Sequence, residues 1–180
     1  NLEKGTIDGY FSSPIIAAPE NNPSVFVNEL MRPRWSPDGK WIAFMAARED
    51  PSGMGLVYFG PYIVDITCIQ NNTCGKTART AGDFKAQRDM AAVSWTSDNR
   101  MAVALKNERD ISFFNPETLE LDGQIALPDD HNWYIEGMEF SPDGNWISIK
   151  DGNIFLYDIH RAAISTIIHK ESDSHFWIVF

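Results

Sequence analysis

Little in this chain announces an activity. It has only two cysteines in 180 residues, Cys68 and Cys74. No apolar run reaches the roughly 18 residues that a bilayer-spanning helix needs, so no segment is expected to insert in a membrane. Cationic side chains are scarce: 15 Lys+Arg against 25 Asp+Glu give a net charge of -10 and a pI near 4.7. Such a balance argues against nucleic acid or an anionic membrane surface as a partner. The sequence holds no Gly-x-Ser-x-Gly elbow, no His-Glu-x-x-His pair and no Gly-x-x-x-x-Gly-Lys-Ser/Thr loop. No catalytic constellation, metal or cofactor is therefore expected. Helical periodicity is nearly missing too, with Asp83–Met90 the one stretch that reads as either a helical turn or a loop.

What is present is a repeat. Trp35-Ser-Pro-Asp-Gly-Lys-Trp-Ile-Ala-Phe44 returns as Trp95-Thr-Ser-Asp-Asn-Arg-Met-Ala-Val-Ala104 and as Phe140-Ser-Pro-Asp-Gly-Asn-Trp-Ile-Ser-Ile149. Each copy reads as an aromatic strand end, a tight turn and a strand of alternating apolar residues. Pro37 and Pro142 pre-set the first turn dihedral, and Gly39 and Gly144 take the positive φ that follows. Asn99 stands at that place in the middle copy, a residue that also tolerates the left-handed region. Tyr62-Ile-Val-Asp-Ile66, Ile111-Ser-Phe-Phe-Asn-Pro116 and Ile154-Phe-Leu-Tyr-Asp-Ile159 follow the copies in turn. In each, an apolar strand stops at Asp65, Asn115 or Asp158. A hairpin repeat of this period points to a propeller or array.

These motifs resemble the TolB-type, WD-like β-propeller repeat over about residues 32 to 180. The resemblance implies an all-β fold: a partial β-propeller of about three four-stranded antiparallel blades, with flanking strands. The expected division is a leading strand and connection at 1–31, blades at 32–81, 82–127 and 128–169, and the start of a further blade at 170–180. It implies that the Ser-Pro-Asp-Gly turns join the first and second strands of a blade. The Asp/Asn positions then join the third and fourth. Trp35, Trp41, Phe44, Trp95, Phe140, Trp146 and Ile147 are the expected core between blades. On this reading the chain is a segment of a longer propeller, whose remaining blades would cover its last face. The alternative is a complete four-blade ring closed by the two ends. No signal peptide is visible, as expected of a mature or trimmed chain starting at Asn1.

Cys68 and Cys74 bracket a polar hairpin, where two strands leaving one turn bring such residues within bonding reach. A bridge there is a local staple of about 2 kcal/mol and implies a periplasmic, cell-surface or secreted setting; two free thiols are the alternative. Asn71-Asn-Thr73 also matches an N-glycosylation acceptor, a tripeptide that is common by chance and matters in a eukaryotic secretory host.

The long connections, 17–31, 46–61, 78–92 and 128–134, are expected at one rim, and long connections over a rigid scaffold are where binding is most often built. That rim would carry Arg48, Glu49, Asp50, Tyr58, Asp83, Arg88, Asp89, Asp129, Asp130, His131 and Trp133, with Tyr58 and Trp133 as aromatic anchors. A solvated loop surface without a ligand is the plain alternative. Asp129-Asp-His131 reads as a charged turn rather than a metal site, because a site needs three or four converging ligands. The carboxylates of the repeated turns are expected to cap backbone N–H groups rather than to catalyse. The leading functional expectation is a non-enzymatic, extracytoplasmic propeller that binds a protein or a small polar or peptide ligand through this rim. The resemblance offers a second expectation: the gating propeller of a prolyl-oligopeptidase-like serine peptidase whose hydrolase domain lies outside this chain. A sensor domain attached to a membrane protein is a third.

Overall fold

The computed structural model describes residues 29–49, 56–71, 78–80, 91–105 and 108–168. They form three four-stranded antiparallel sheets, each built from consecutive strands in chain order. The first holds β1 (Glu29–Trp35), β2 (Trp41–Glu49), β3 (Leu56–Asp65) and β4 (Arg79–Thr80). The second holds β5 (Ala91–Trp95), β6 (Met101–Leu105), β7 (Asp110–Phe114) and β8 (Leu121–Ala126). The third holds β9 (Gly137–Phe140), β10 (Trp146–Asp151), β11 (Asn153–Asp158) and β12 (Ala163–Ile168). The chain divides into two compact units, residues 1–88 and 89–180.

The repeated turns are wired alike. Gly39 N donates to Ser36 O at 2.9 Å and Gly144 N to Ser141 O at 2.9 Å, with φ of 70° and 73° at the two glycines. Ser36 Oγ donates to Asp38 Oδ1 at 2.7 Å and accepts from Trp41 N at 2.9 Å, while Lys40 N donates to the same carboxylate at 3.1 Å. Ser141, Asp143, Asn145 and Trp146 repeat the pattern. The carboxylates therefore satisfy turn amides that strand pairing leaves open.

The middle turn is one residue shorter than the sequence match implies. Trp35 pairs with Ile42 and Phe140 with Ile147, but Trp95 pairs with Met101. Nothing in the middle copy corresponds to Lys40 or Asn145, so Arg100 stands where Trp41 and Trp146 stand. The loss is matched elsewhere. Ile66 N donates to Lys40 O at 2.8 Å and Ile159 N to Asn145 O at 3.0 Å. The equivalent position in the second sheet is Pro116, which has no N–H to leave unsatisfied. Arg100 fills the vacated space: Nε reaches Asp98 Oδ1 at 3.1 Å, Nη1 reaches Asp122 O at 3.1 Å, and Cζ lies 4.7 Å from the Phe113 ring centre.

In unit 2 the second and third sheets pack face to face. Ala92, Ala102, Ala104, Ile111 and Phe113 meet Met138, Phe140, Ile147, Ile149, Phe155 and Tyr157 in one core, closed by Leu127, Trp133 and Ile135 from the intervening connection. Phe113 and Phe140 meet edge to face, with ring centres 6.0 Å apart. Ser94 Oγ donates to Glu139 Oε2 at 3.0 Å and ties β5 to β9. Successive residues of β6 and β10 are buried, so both faces of these strands are covered.

Several expectations are corrected. Trp35 is 58 % exposed rather than core. It ends β1, an edge strand of the one described sheet of unit 1. Trp41 and Trp146 are half-buried. Glu29–Met31, read as connection, belong to β1, where an additional residue at Arg32–Pro33, with Arg32 at φ 56°, offsets the register. The long 46–61 connection is largely strand: β2 and β3 run on as a hairpin to Glu49 and Leu56, past a bulge that Gly60 accommodates at φ 97°. A short helix, α1 (Thr67–Asn71), stands where a hairpin loop was expected, and Asp65 Oδ1 accepts from Thr67 N at 2.8 Å. Cys68 is buried and disulfide-bonded. The other cysteine, Cys74, lies outside the described residues.

Candidate functional site

The connection from β8 to β9 is the best-defined candidate. It starts where Leu127 N donates to Arg109 O at 2.9 Å and ends where Glu136 N donates to Lys150 O at 2.8 Å. Between these pins the backbone leaves the sheets, so side chains must hold it. Trp133 does most of this. It is 2 % exposed, and its indole Nε1 donates to Pro128 O at 2.8 Å, closing the segment into a loop. Its ring meets Phe155 of β11 and the His131 imidazole, with centre separations of 5.0 and 4.6 Å.

Asp151, at the β10–β11 turn, is the second brace. One carboxylate oxygen accepts Tyr134 N at 2.8 Å and lies 2.8 Å from His131 Nε2. Because a carboxylate accepts, the contact requires the imidazole hydrogen on Nε2, which leaves Nδ1 as the open ring nitrogen. The His131 side chain is 39 % exposed and that of Asp151 is 11 %. The imidazole is thus clamped by a half-hidden carboxylate and two aromatic rings while one edge meets solvent.

Around this support runs an open cleft of ≈ 450 Å³, lined by Arg109, Asp129, Asp130, His131, Asn132 and Trp133. Arg109 Nη1 lies 3.6 Å from Asp129 Oδ2, both side chains being more than half exposed. A pair this exposed is weak and easily exchanged for a ligand. The cleft therefore offers a guanidinium, two carboxylates, an amide and an imidazole edge on a fixed backbone. Among the described residues no group of three or more His, Cys, Asp or Glu side chains converges as a metal site would require.

Of the residues expected at the long-loop rim, the structure brings together Asp129, Asp130, His131 and Trp133. Trp133 lines the cleft from a buried position, and Tyr134 is the exposed aromatic of the segment. Arg48, Glu49 and Tyr58 sit on paired strands of unit 1 rather than in a loop, since the hairpin continues through them. Asp50, Asp83, Arg88 and Asp89 lie outside the described residues. Sequence reasoning missed Arg109 and Asp151. Both adjoin second-to-third-strand connections, which the antiparallel order of four strands puts at the same end as 128–134, so that rule could have found them.

At the opposite end of the third sheet, His160 Nε2 lies 2.8 Å from Asn145 Oδ1, joining the β9–β10 and β11–β12 turns. No helix of the described residues is long and apolar enough to cross a membrane. No family model matches the sequence, and no curated protein does. Among solved structures, the chain is similar to Kuenenia stuttgartiensis hydrazine synthase, with a TM-score of 0.48 and 16 % identity over 85 % of this chain. The match spans 39 % of that neighbour's length.

Proposed function

We propose that this chain is a non-enzymatic segment of a TolB-type β-propeller, working outside the cytoplasm, that binds a protein or a small polar or peptide ligand at the 128–134 connection. One observation carries the reading. A buried indole, an imidazole set edge-on against it and a doubly used carboxylate are all committed to fixing a segment that belongs to no sheet. Fixing the backbone lowers the ordering cost a ligand would otherwise meet. Asp129, Asp130 and Arg109 then stand ready around the cleft, and charges of both signs suit a ligand carrying an ammonium and a carboxylate, as peptides do. Three tandem four-stranded sheets and the disulfide-bonded Cys68 support the propeller and the oxidising setting.

The test is binding of a short-peptide library to the full chain by calorimetry. A variant with Asp129→Asn, Asp130→Asn and Arg109→Gln keeps the Trp133 and Asp151 braces and should fold as before. Wild type is expected to bind a subset of peptides at least tenfold more tightly than this variant. Equal binding by both proteins, or none by wild type, removes the reading.

A further inference from the structure

We propose that Asp122-Gly123, in the edge strand β8, is a site where this chain converts aspartate to isoaspartate, a main-chain rearrangement that needs only water. The sequence spells Asp-Gly at Asp8, Asp38, Asp122, Asp143 and Asp151, and all but the first lie among the described residues. The dipeptide is reactive because glycine has no side chain to shield its amide nitrogen from the preceding carboxyl. The fold treats the four described pairs differently. Asp38 accepts from Ser36 Oγ and Lys40 N, and Asp143 from Ser141 Oγ, Asn145 N and Asn145 Nδ2. Gly39 N and Gly144 N each donate across their turn, so both reacting groups are held. Asp151 is occupied by Tyr134 N and the His131 imidazole, and its side chain is 11 % exposed. Asp122 is the exception. It is exposed, as are Leu121, Gly123 and Gln124 around it. The bond from Arg100 Nη1 ends on its backbone oxygen, and among the described residues no hydrogen bond or ion pair reaches its carboxylate. Asp122 and Gly123 together stand opposite the single Phe113, a bulge where the ladder is locally broken. Gly123 takes a φ of 115° there.

In the rearrangement, Gly123 N attacks Asp122 Cγ. The new C–N bond forms as the Cγ hydroxyl leaves as water with the proton given up by Gly123 N, closing a succinimide. Water then opens the ring. Attack at Cγ restores aspartate. Attack at the Asp122 main-chain carbonyl breaks its bond to Gly123 N, and that carbon becomes the free carboxylate. The chain then runs through Cβ and Cγ, one carbon longer, with no change of mass and no oxidant or reductant. An exposed bulge at a sheet edge can turn the carboxyl onto the next nitrogen at small cost. The turns at Asp38 and Asp143 would first have to release the hydrogen bonds that build them.

The full chain is kept folded in warm neutral buffer for several weeks, then digested, and its peptides are labelled by an isoaspartyl carboxyl methyltransferase with a radioactive methyl donor. Label in the peptide holding Asp122 is expected to exceed that at Asp38, Asp143 or Asp151 by about tenfold or more. A parallel sample unfolded in urea should label the four alike, and Asp122→Glu, which cannot close the five-membered ring, should remove the signal from its peptide. Equal or lower label at Asp122 than at the other three in the folded chain overturns the proposal. So does the same preference in urea, or a signal that survives Asp122→Glu.

Discussion

At the residue scale, the repeated turns depend on carboxylates. Hydrogen bonds from Ser36 and from the Lys40 amide hold Asp38 below its usual range, and Ser141 and Asn145 do the same for Asp143. For Asp98, burial pushes upward, but hydrogen bonds from Thr96 and Arg100, with the Arg100 charge, outweigh it and the net direction is down. A carboxyl depressed in the folded state contributes stability above its unfolded value of about 3.9 and loses it as pH falls through the folded value. The urea midpoint is therefore expected to be insensitive to these groups from pH 7 to 5 and to fall below about pH 4. A variant with Asn at 38, 98 and 143 should be less stable at pH 7, with the gap to wild type closing in acid. A gap that stays constant down to pH 2 would refute this account.

Gly144 carries two constraints. Its φ is 73°, and a Cβ there would sit 2.5 Å from Ser97 Oγ; Gly39, at φ 70°, has open space. Gly39→Ala is expected to cost about 1–2 kcal/mol from the left-handed conformation alone. Gly144→Ala should cost more, and Ser97→Ala should recover the excess; a double-mutant cycle measures it. The Pro-Asp-Gly spelling made the positive φ legible. The approach of Ser97 was not, because it comes from a neighbouring sheet.

At the element scale, the shortened middle turn gives an asymmetry to test. Ile159 N is hydrogen-bonded to Asn145 O, whereas Pro116 occupies the matching place with no such bond. Ile159→Pro is expected to cost about 1–3 kcal/mol by losing that bond and straining the turn. Pro116→Ala should cost less than about 1 kcal/mol, mainly through a freer unfolded chain. Urea denaturation of the two variants decides it, and similar losses would mean that the equivalence of the two positions is wrong. The hairpins themselves were readable, because turn residues at repeated places separate apolar runs of strand length. The one-residue deletion was not, since Arg100 and Met101 align equally well with Lys40 and Trp41 when letters alone are matched.

At the scale of the whole molecule, burial predicts which parts open last. Strands β6 and β10 are covered on both faces, while five of the six residues of β8 are exposed. Amide exchange is expected to be slowest in β6 and β10 and much faster in β8, and uniform rates would contradict this core. Trp133 belongs to that core as well as to the cleft. Trp133→Ala is expected to cost about 3–5 kcal/mol, whereas Asp130→Asn, on the exposed side, should stay within about 0.5 kcal/mol in thermal unfolding.

By itself the sequence determined the all-β class, the hairpin at each Asp-containing turn and the carboxylates that cap it, because each depends on residues within a few positions of one another. The tertiary structure alone decided that Trp133 faces inward and Tyr134 outward, that Asp151 clamps His131, and that Trp35 stays wet. Those outcomes depend on which surface lies opposite, and distant parts of the chain supply that surface.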